Sequence, residues 1–137
     1  MRYLGLDLGT KTLGISISDK TNTLVSPLKL IKFTKENYDE AVKELLLVIK
    51  EYNIKEVVLG LPKNMDNTLG FAANRSLNFK EMLEKEDVIV HLEDERLTTV
   101  EALNILKNNG NKNIKSQEKT DILSAVLILE NYLKRVS

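Results

Sequence analysis

The chain has 137 residues, 42% hydrophobic and 29% charged, with 20 Lys and Arg against 20 Asp and Glu, which suits one domain with one core, read here over 1–137. There is no cysteine and one histidine, His91. Disulfides and thiolate sites are therefore excluded, and any metal would be held by oxygen, which points to Mg²⁺ or Mn²⁺. No apolar run reaches membrane length and no secretory leader opens the chain, so the expectation is a cytoplasmic protein with no membrane contact. Zero net charge argues against coating nucleic acid as a whole and leaves room for a local basic patch.

Leu4, Leu6 and Leu8 alternate with Gly5, Asp7 and Gly9, and Leu13, Ile15 and Ile17 continue the alternation after Gly9-Thr10-Lys11-Thr12. Two strands joined by a tight turn follow from that period of two. Asp7 lies opposite the leucine face, between Gly5 and Gly9. Such a carboxylate is open to something large, a metal ion or a phosphate, since a strand glycine often marks a close approach. A plain surface carboxylate beside a turn-shaping Gly9 is the other reading. Asp19 belongs to a turn.

Leu24 to Phe33 is a third extended segment, and Pro27 makes it an edge strand or a bulged one. Asn37 with Glu40 fits a capping box. Tyr38, Ala41, Val42, Leu45, Val48, Ile49 and Tyr52 then form a helical stripe that stops at Asn53. Residues 56–62 (Glu-Val-Val-Leu-Gly-Leu-Pro) are nearly all apolar, as in a strand buried on both faces, and 63–68 form a polar loop. A helix is expected from about Gly70 to Glu84, with Leu77, Met82 and Leu83 among its contacts. Val88 to Leu92 reads as a fifth strand. Thr98 or Thr99 caps a helix through about Lys107, 108–113 form a loop, and Ser116 caps a last helix ending near Arg135.

The order is three strands, helix, strand, helix, strand, two helices. Three consecutive strands suit an antiparallel meander, and the later ones require parallel crossovers. The predicted fold is α/β, a five-stranded mixed sheet flanked by helices. Ligand sites in such sheets lie beyond the carboxyl ends of the strands. Asp7, Gly60-Leu61-Pro62 and Glu93-Asp94-Glu95-Arg96 can converge there.

On the last helix, Asp121 shares a line with Ala125, Ile128 and Tyr132. A carboxylate on a packing stripe is costly unless it meets a cation or a donor. A salt bridge or a favourable helix-dipole position would also satisfy it. Asp7, Glu95 and Asp121 form a candidate acidic cluster. Three carboxylates repel one another unless divalent metal neutralises them. Two Mg²⁺ or Mn²⁺ ions there could serve in-line phosphoryl displacement.

These residues carry a resemblance. Leu6-Asp7-Leu8-Gly9 with Lys11 and Gly14, Val58-Leu59-Gly60-Leu61-Pro62 with Asn64-Met65-Asp66, Asp94-Glu95-Arg96-Leu97-Thr98-Thr99, and Asp121 with Ser124 to Leu129 resemble, in that order, the YqgF or RuvX family of the ribonuclease H-like superfamily. The resemblance covers nearly the whole chain. It implies a ribonuclease H-like fold and a metal-dependent nuclease with Asp7, Glu95 and Asp121 as the acidic triad. It also implies a role either in maturing the precursor of 16S ribosomal RNA, the favoured reading, or in resolving Holliday junctions. Two positions depart from the family. Asn67 stands where it usually has Gly, and Asn tolerates the turn. Thr12 stands where it often has a basic residue, which leaves Lys11 alone on the hairpin.

Lys11, Lys63, Arg96, Lys112, Lys115 and Lys119 are the candidate phosphate contacts, with Gly9, Gly60 and Pro62 shaping the site. A salt bridge explains Arg96 equally well, and a solvated loop explains the three later lysines. Asp66 and Asp94 read as loop or supporting carboxylates, and His91 as structural. The expected partner is nucleic acid, with the protein a monomer or weak homodimer. Two alternatives are an actin-like ATP site, suggested by residues 6–10, and a non-catalytic RNA-binding or ribosome-assembly module. Nucleotide binding and a nuclease assay with Mg²⁺ or Mn²⁺ separate them.

Overall fold

The alternation of residues 3–18 closes into a hairpin of β1 (Tyr3–Leu8) and β2 (Thr12–Ser18) in the computed structural model, which describes residues 1–63, 70–95 and 116–136, the side chains of 116–119 excepted. β3 (Val25–Lys32), α1 (Tyr38–Glu51), β4 (Glu56–Leu61), α2 (Phe71–Glu84), β5 (Ile89–Asp94) and α3 (Ser116–Val136) follow. The sheet order is β3-β2-β1-β4-β5. β1–β2 and β2–β3 are antiparallel, whereas β1–β4 and β4–β5 are parallel, the mixed sheet expected from the element order. Among the described residues no helix is long and apolar enough to cross a membrane. The expected helix at 98–107, the loop 108–113 and the loop residues 64–68 lie outside the described residues.

The two faces of the sheet are chemically different. Leu4, Leu6, Leu13, Ile15, Val57 and Leu59 point to one side and are fully buried against Ala41 and Leu45 of α1 and Phe79 and Leu83 of α2. The opposite side of β1 and β2 carries Gly5, Asp7, Gly14 and Ser16, and α3 lies directly on it. A Cβ on Gly5 would stand 2.5 Å from the Ala125 carbonyl oxygen, and one on Gly14 would strike the Asp121 carbonyl. Ser16 Oγ donates to the Ala125 carbonyl at 2.7 Å. Gly5 therefore makes room for a helix backbone, which corrects the expectation that it opens space for a ligand. Asp121, Ala125, Ile128 and Tyr132 are all buried along this contact, as their spacing predicted.

Local signals explain most boundaries. The Asn37 side chain accepts from Glu40 N–H at the start of α1, while Glu40 Oε1 accepts from Thr34 N–H instead of completing a reciprocal box with Asn37. Asn53, at φ 54°, supplies the left-handed residue that ends α1. β3 is an edge strand, and the register shifts between Ile15 and Ser16, opposite Lys29 and Pro27, so the bulge lies where Pro27 interrupts the ladder. Ala73, Ser76, Phe79 and Leu83 are the buried residues of α2, in place of the expected Leu77. β5 extends past Leu92 to Asp94 because Glu93 and Asp94 pair with Gly60 and Leu61. Ser116 is the first residue of α3, not its cap.

Candidate active site

β1 carries Asp7 to the carboxyl end of the sheet, where both strand neighbours place a glycine beside it. Across the antiparallel pair Asp7 faces Gly14. On the parallel side Leu6 faces Leu59, so Gly60 comes alongside Asp7, and Gly60 in turn pairs with Glu93. Each glycine makes room for another acid. The backbone of Asp121 rests on Gly14, and a Cβ on Gly60 would strike Glu95 Oε2. The glycines that shape the site are thus the cross-strand ones. Gly9, named from the strand alternation, closes the hairpin through its N–H to the Thr12 carbonyl at 2.8 Å.

Glu95 leaves β5 one residue after Asp94, its N–H directed at the Leu61 carbonyl at 3.4 Å. Glu95 and Asp121 are each 8% exposed. Burial pushes the Asp7 carboxyl well above the ordinary carboxylate range. The neighbouring Glu95 charge and hydrogen bond add to this, followed by the Asp121 charge. Glu95 is also raised, by burial and by the charges of Asp121 and Asp94, against a hydrogen bond with Asp7 and the positive charge of Arg75. Burial and the closeness of the two carboxyl groups therefore favour a proton held between Asp7 and Glu95. Among the described residues, no backbone N–H, hydroxyl or amine donates to Glu95 Oε2. Only a shared proton or a cation satisfies such an oxygen.

Asp121 is held from the hairpin. Thr12 Oγ1 donates to Asp121 Oδ2 at 2.7 Å. The sequence alone marks Thr12 only as a lost phosphate contact, whereas the structure shows it holding an acid. Among the described residues no group of three acidic or histidine side chains is already spaced to hold a metal ion. Asp7 and Glu95 close on each other, and Asp121 is engaged by Thr12.

Arg75, absent from the sequence reading, is half-buried on α2, and its charge is felt at both Asp7 and Glu95. It stands between Asn74 and Ser76 on a weakly patterned helix, so no local signal marks it. Lys11 is exposed on the hairpin turn, and Pro62 and Lys63 are half-buried just past β4. Arg96, Lys112, Lys115, Asp66 and the side chain of Lys119 lie outside the described residues. Asp94 ends β5 as a strand residue and adds its charge to Glu95. Asp19 accepts from Thr23 N–H at 2.8 Å in its turn. His91 is structural, as expected. Its Nε2 lies 2.7 Å from Glu56 Oε1, and its ring packs against Tyr3 and Tyr132.

The sequence matches the profile of the RuvX family, described as Holliday junction resolvase, over residues 1–135. A protein of onion yellows phytoplasma (strain OY-M) named "Putative pre-16S rRNA nuclease" is 46% identical over 132 residues, 95% of this chain and 87% of the relative. One of the same name from Lactobacillus helveticus is 40% identical over 136 residues, 97% and 96% of the two chains. In fold, the chain superposes on T. thermophilus RuvC in complex with a Holliday junction substrate at TM-score 0.61. The identity there is 17%, covering 100% of this chain and 96% of the other. The fowlpox virus Holliday junction resolvase superposes at TM-score 0.61 with 16% identity over the full length of both chains.

Proposed function

This chain belongs to the RuvX family, and on that premise we propose that it is a divalent-metal-dependent nuclease that matures the precursor of 16S ribosomal RNA. One observation supports the metal dependence. Three acidic residues from distant parts of the chain act on one another's charge in a buried place, and the buried Oε2 of Glu95 has no donor among the described residues. Crowded, desolvated acids are unstable without a cation, and their all-oxygen donor set suits Mg²⁺ or Mn²⁺.

Asp7, Glu95 and Asp121 would hold the metal, as two ions. When bound, the ions supply charge neutralisation and lower the pKa of an attacking water. Asp7 and Glu95 would hold the cation with their carboxyl groups ionised. Thr12 keeps Asp121 oriented toward the pair. Lys11, Lys63, Arg96, Lys112, Lys115 and Lys119 bind the phosphates of the strand. His91 is committed to Glu56, so no histidine pair serves the ribose 2′-hydroxyl, and the products carry 5′-phosphate and 3′-hydroxyl ends. The protein acts in the cytoplasm as a monomer or weak homodimer.

The description attached to the RuvX family favours a second substrate, a four-way DNA junction. Cleavage of a precursor ribosomal RNA and of such a junction by one preparation, with Mg²⁺ or Mn²⁺ and then with chelator, tests both. Junction-only cleavage overturns the RNA reading. A 2′,3′-cyclic phosphate product overturns the mechanism. Strand binding without cleavage of either substrate leaves the non-catalytic module.

A further inference from the structure

α2 starts at the same end of the sheet as the acidic cluster and runs away from it. Its last turn hands the chain to the far end, where Val88 N–H meets the Leu83 carbonyl and Ile89 N–H the Lys55 carbonyl. Its first residue, Phe71, is 92% exposed. The other exposed large apolar side chains among the described residues lie elsewhere. Met1, Leu24 and Ile89 sit at the amino ends of β1, β3 and β5, the opposite end of the sheet. Leu47 is on the outer side of α1, and Val136 ends α3. Of these described side chains, Phe71 alone stands at the end of the acids.

Phe71 and Arg75 are four residues apart, so they share one side of α2. An arginine so placed can cover an aromatic ring, as Arg135 does over Tyr132 at 5.4 Å, but Phe71 stays open to water. Arg75 makes no ion pair with a described residue, although its charge is felt at Asp7 and Glu95. Among the described residues, then, neither the ring nor the guanidinium is covered or ion-paired, and they stand one turn apart. That turn is about 6 Å along the axis, within the reach of neighbouring nucleotides on one strand. A phosphate on Arg75 and a base on Phe71 would belong to nucleotides one or two steps apart.

Resting on the nuclease reading above, we infer that Arg75 binds a phosphate beside the scissile one and that Phe71 stacks on an unpaired base of the same strand. The substrate class follows. A base inside a duplex has both faces covered by its neighbours, and exposing one costs unstacking energy. The enzyme therefore takes a strand that is already single beside the cut, either single-stranded RNA or the open arm of a branched nucleic acid, in preference to a continuous duplex. Phe71 contributes stacking without charge, and Arg75 contributes charge, so the two have separable signatures.

The test uses full-length protein carrying Asp7→Asn, which retains the fold without cutting. It is titrated with a single-stranded RNA containing 2-aminopurine, a fully paired RNA of the same sequence, and a four-way DNA junction. Adding Phe71→Ala should weaken single-strand binding about tenfold. It should also abolish the 2-aminopurine fluorescence change, leave the salt slope unaltered, and leave duplex binding unaltered. Phe71→Trp should restore binding. Arg75→Ala should flatten the slope of log affinity against log salt by roughly 0.7 on the single strand, and Arg75→Lys should keep it. A Phe71 dependence on the junction alone identifies a branch point as the source of the unpaired base. Unchanged single-strand and junction binding in Phe71→Ala, or equal weakening on the duplex, overturns the inference. Cleavage by the unaltered protein is scored separately. Its absence with every substrate sinks the nuclease reading, whereas an active enzyme indifferent to both residues sinks this inference alone.

Discussion

Thr12 Oγ1 donates a 2.7 Å hydrogen bond to Asp121 Oδ2, tying the first hairpin to the last helix across 109 residues of sequence. Thr12→Val keeps the shape and removes the donor from a carboxylate that is 8% exposed. Withdrawing a donor from a buried carboxylate costs about 1–3 kcal/mol. A thermal melt should therefore fall by several degrees, and Mn²⁺ affinity by titration calorimetry should fall with it. Thr12→Ser should restore both. Equal behaviour of the Val and Ser variants would mean that the bond does not position Asp121.

Asp7→Asn should stabilise the metal-free protein at neutral pH while abolishing cleavage. Desolvation of the native Asp7 carboxyl, with Glu95 and Asp121 beside it, disfavours its charge, and the Arg75 charge offsets this only in part. Asn removes the cost of holding that carboxyl protonated, relative to the ionised unfolded chain, at nearly constant shape. The Tm of the metal-free variant should therefore rise above that of the unaltered protein. An unchanged or lower Tm without metal would show that the cluster carries no such tension.

The pH dependence has a defined sign. Asp7 and Glu95 are both raised above their unfolded values. The folded chain therefore binds more protons than the unfolded one between about pH 4, the ordinary carboxyl value, and the raised folded value. Metal-free stability should fall as pH rises through that window. Mg²⁺ must displace the shared proton, so its affinity should rise over the same window. Calorimetry in buffers of different ionisation enthalpy should detect proton release on binding, and identical heats in all buffers would contradict the shared proton.

Gly14→Ala and Gly60→Ala should separate helix position from carboxylate position. A Cβ at Gly14 meets the Asp121 carbonyl, a backbone atom, so α3 must lift. Overpacking of this kind costs about 1–3 kcal/mol, visible in a urea melt. A Cβ at Gly60 meets the Glu95 carboxylate, which can swing aside, although Ile128 Cδ1 lies 2.5 Å from the same point. The Gly60 variant should be the more stable of the two, yet lose about a hundredfold in cleavage rate, since misplacing a reacting group by about 1 Å costs that much. Full activity in Gly60→Ala would remove Glu95 from the chemistry.

Periodicity alone determined which residues form strands and helices and which of their faces are apolar. The leucine alternation of residues 4–17, the unbroken apolar run of β4 and the stripe of α1 each record burial locally, residue by residue. With the rule that parallel strands need crossovers, they were enough for the mixed five-stranded sheet. Asp121 was legible as an anomaly because a carboxylate interrupts an apolar stripe. Tertiary structure alone decided what Asp7 meets. Its flanking Gly5 admits α3, and the site is shaped by Gly14 and Gly60, which adjoin Asp7 only through strand register. Register is a pairing between distant segments, so no local period encodes it. The same holds for Thr12 on Asp121 and for the Arg75 charge felt at Asp7 and Glu95. Those relationships join side chains whose separation in sequence carries no information about their separation in space.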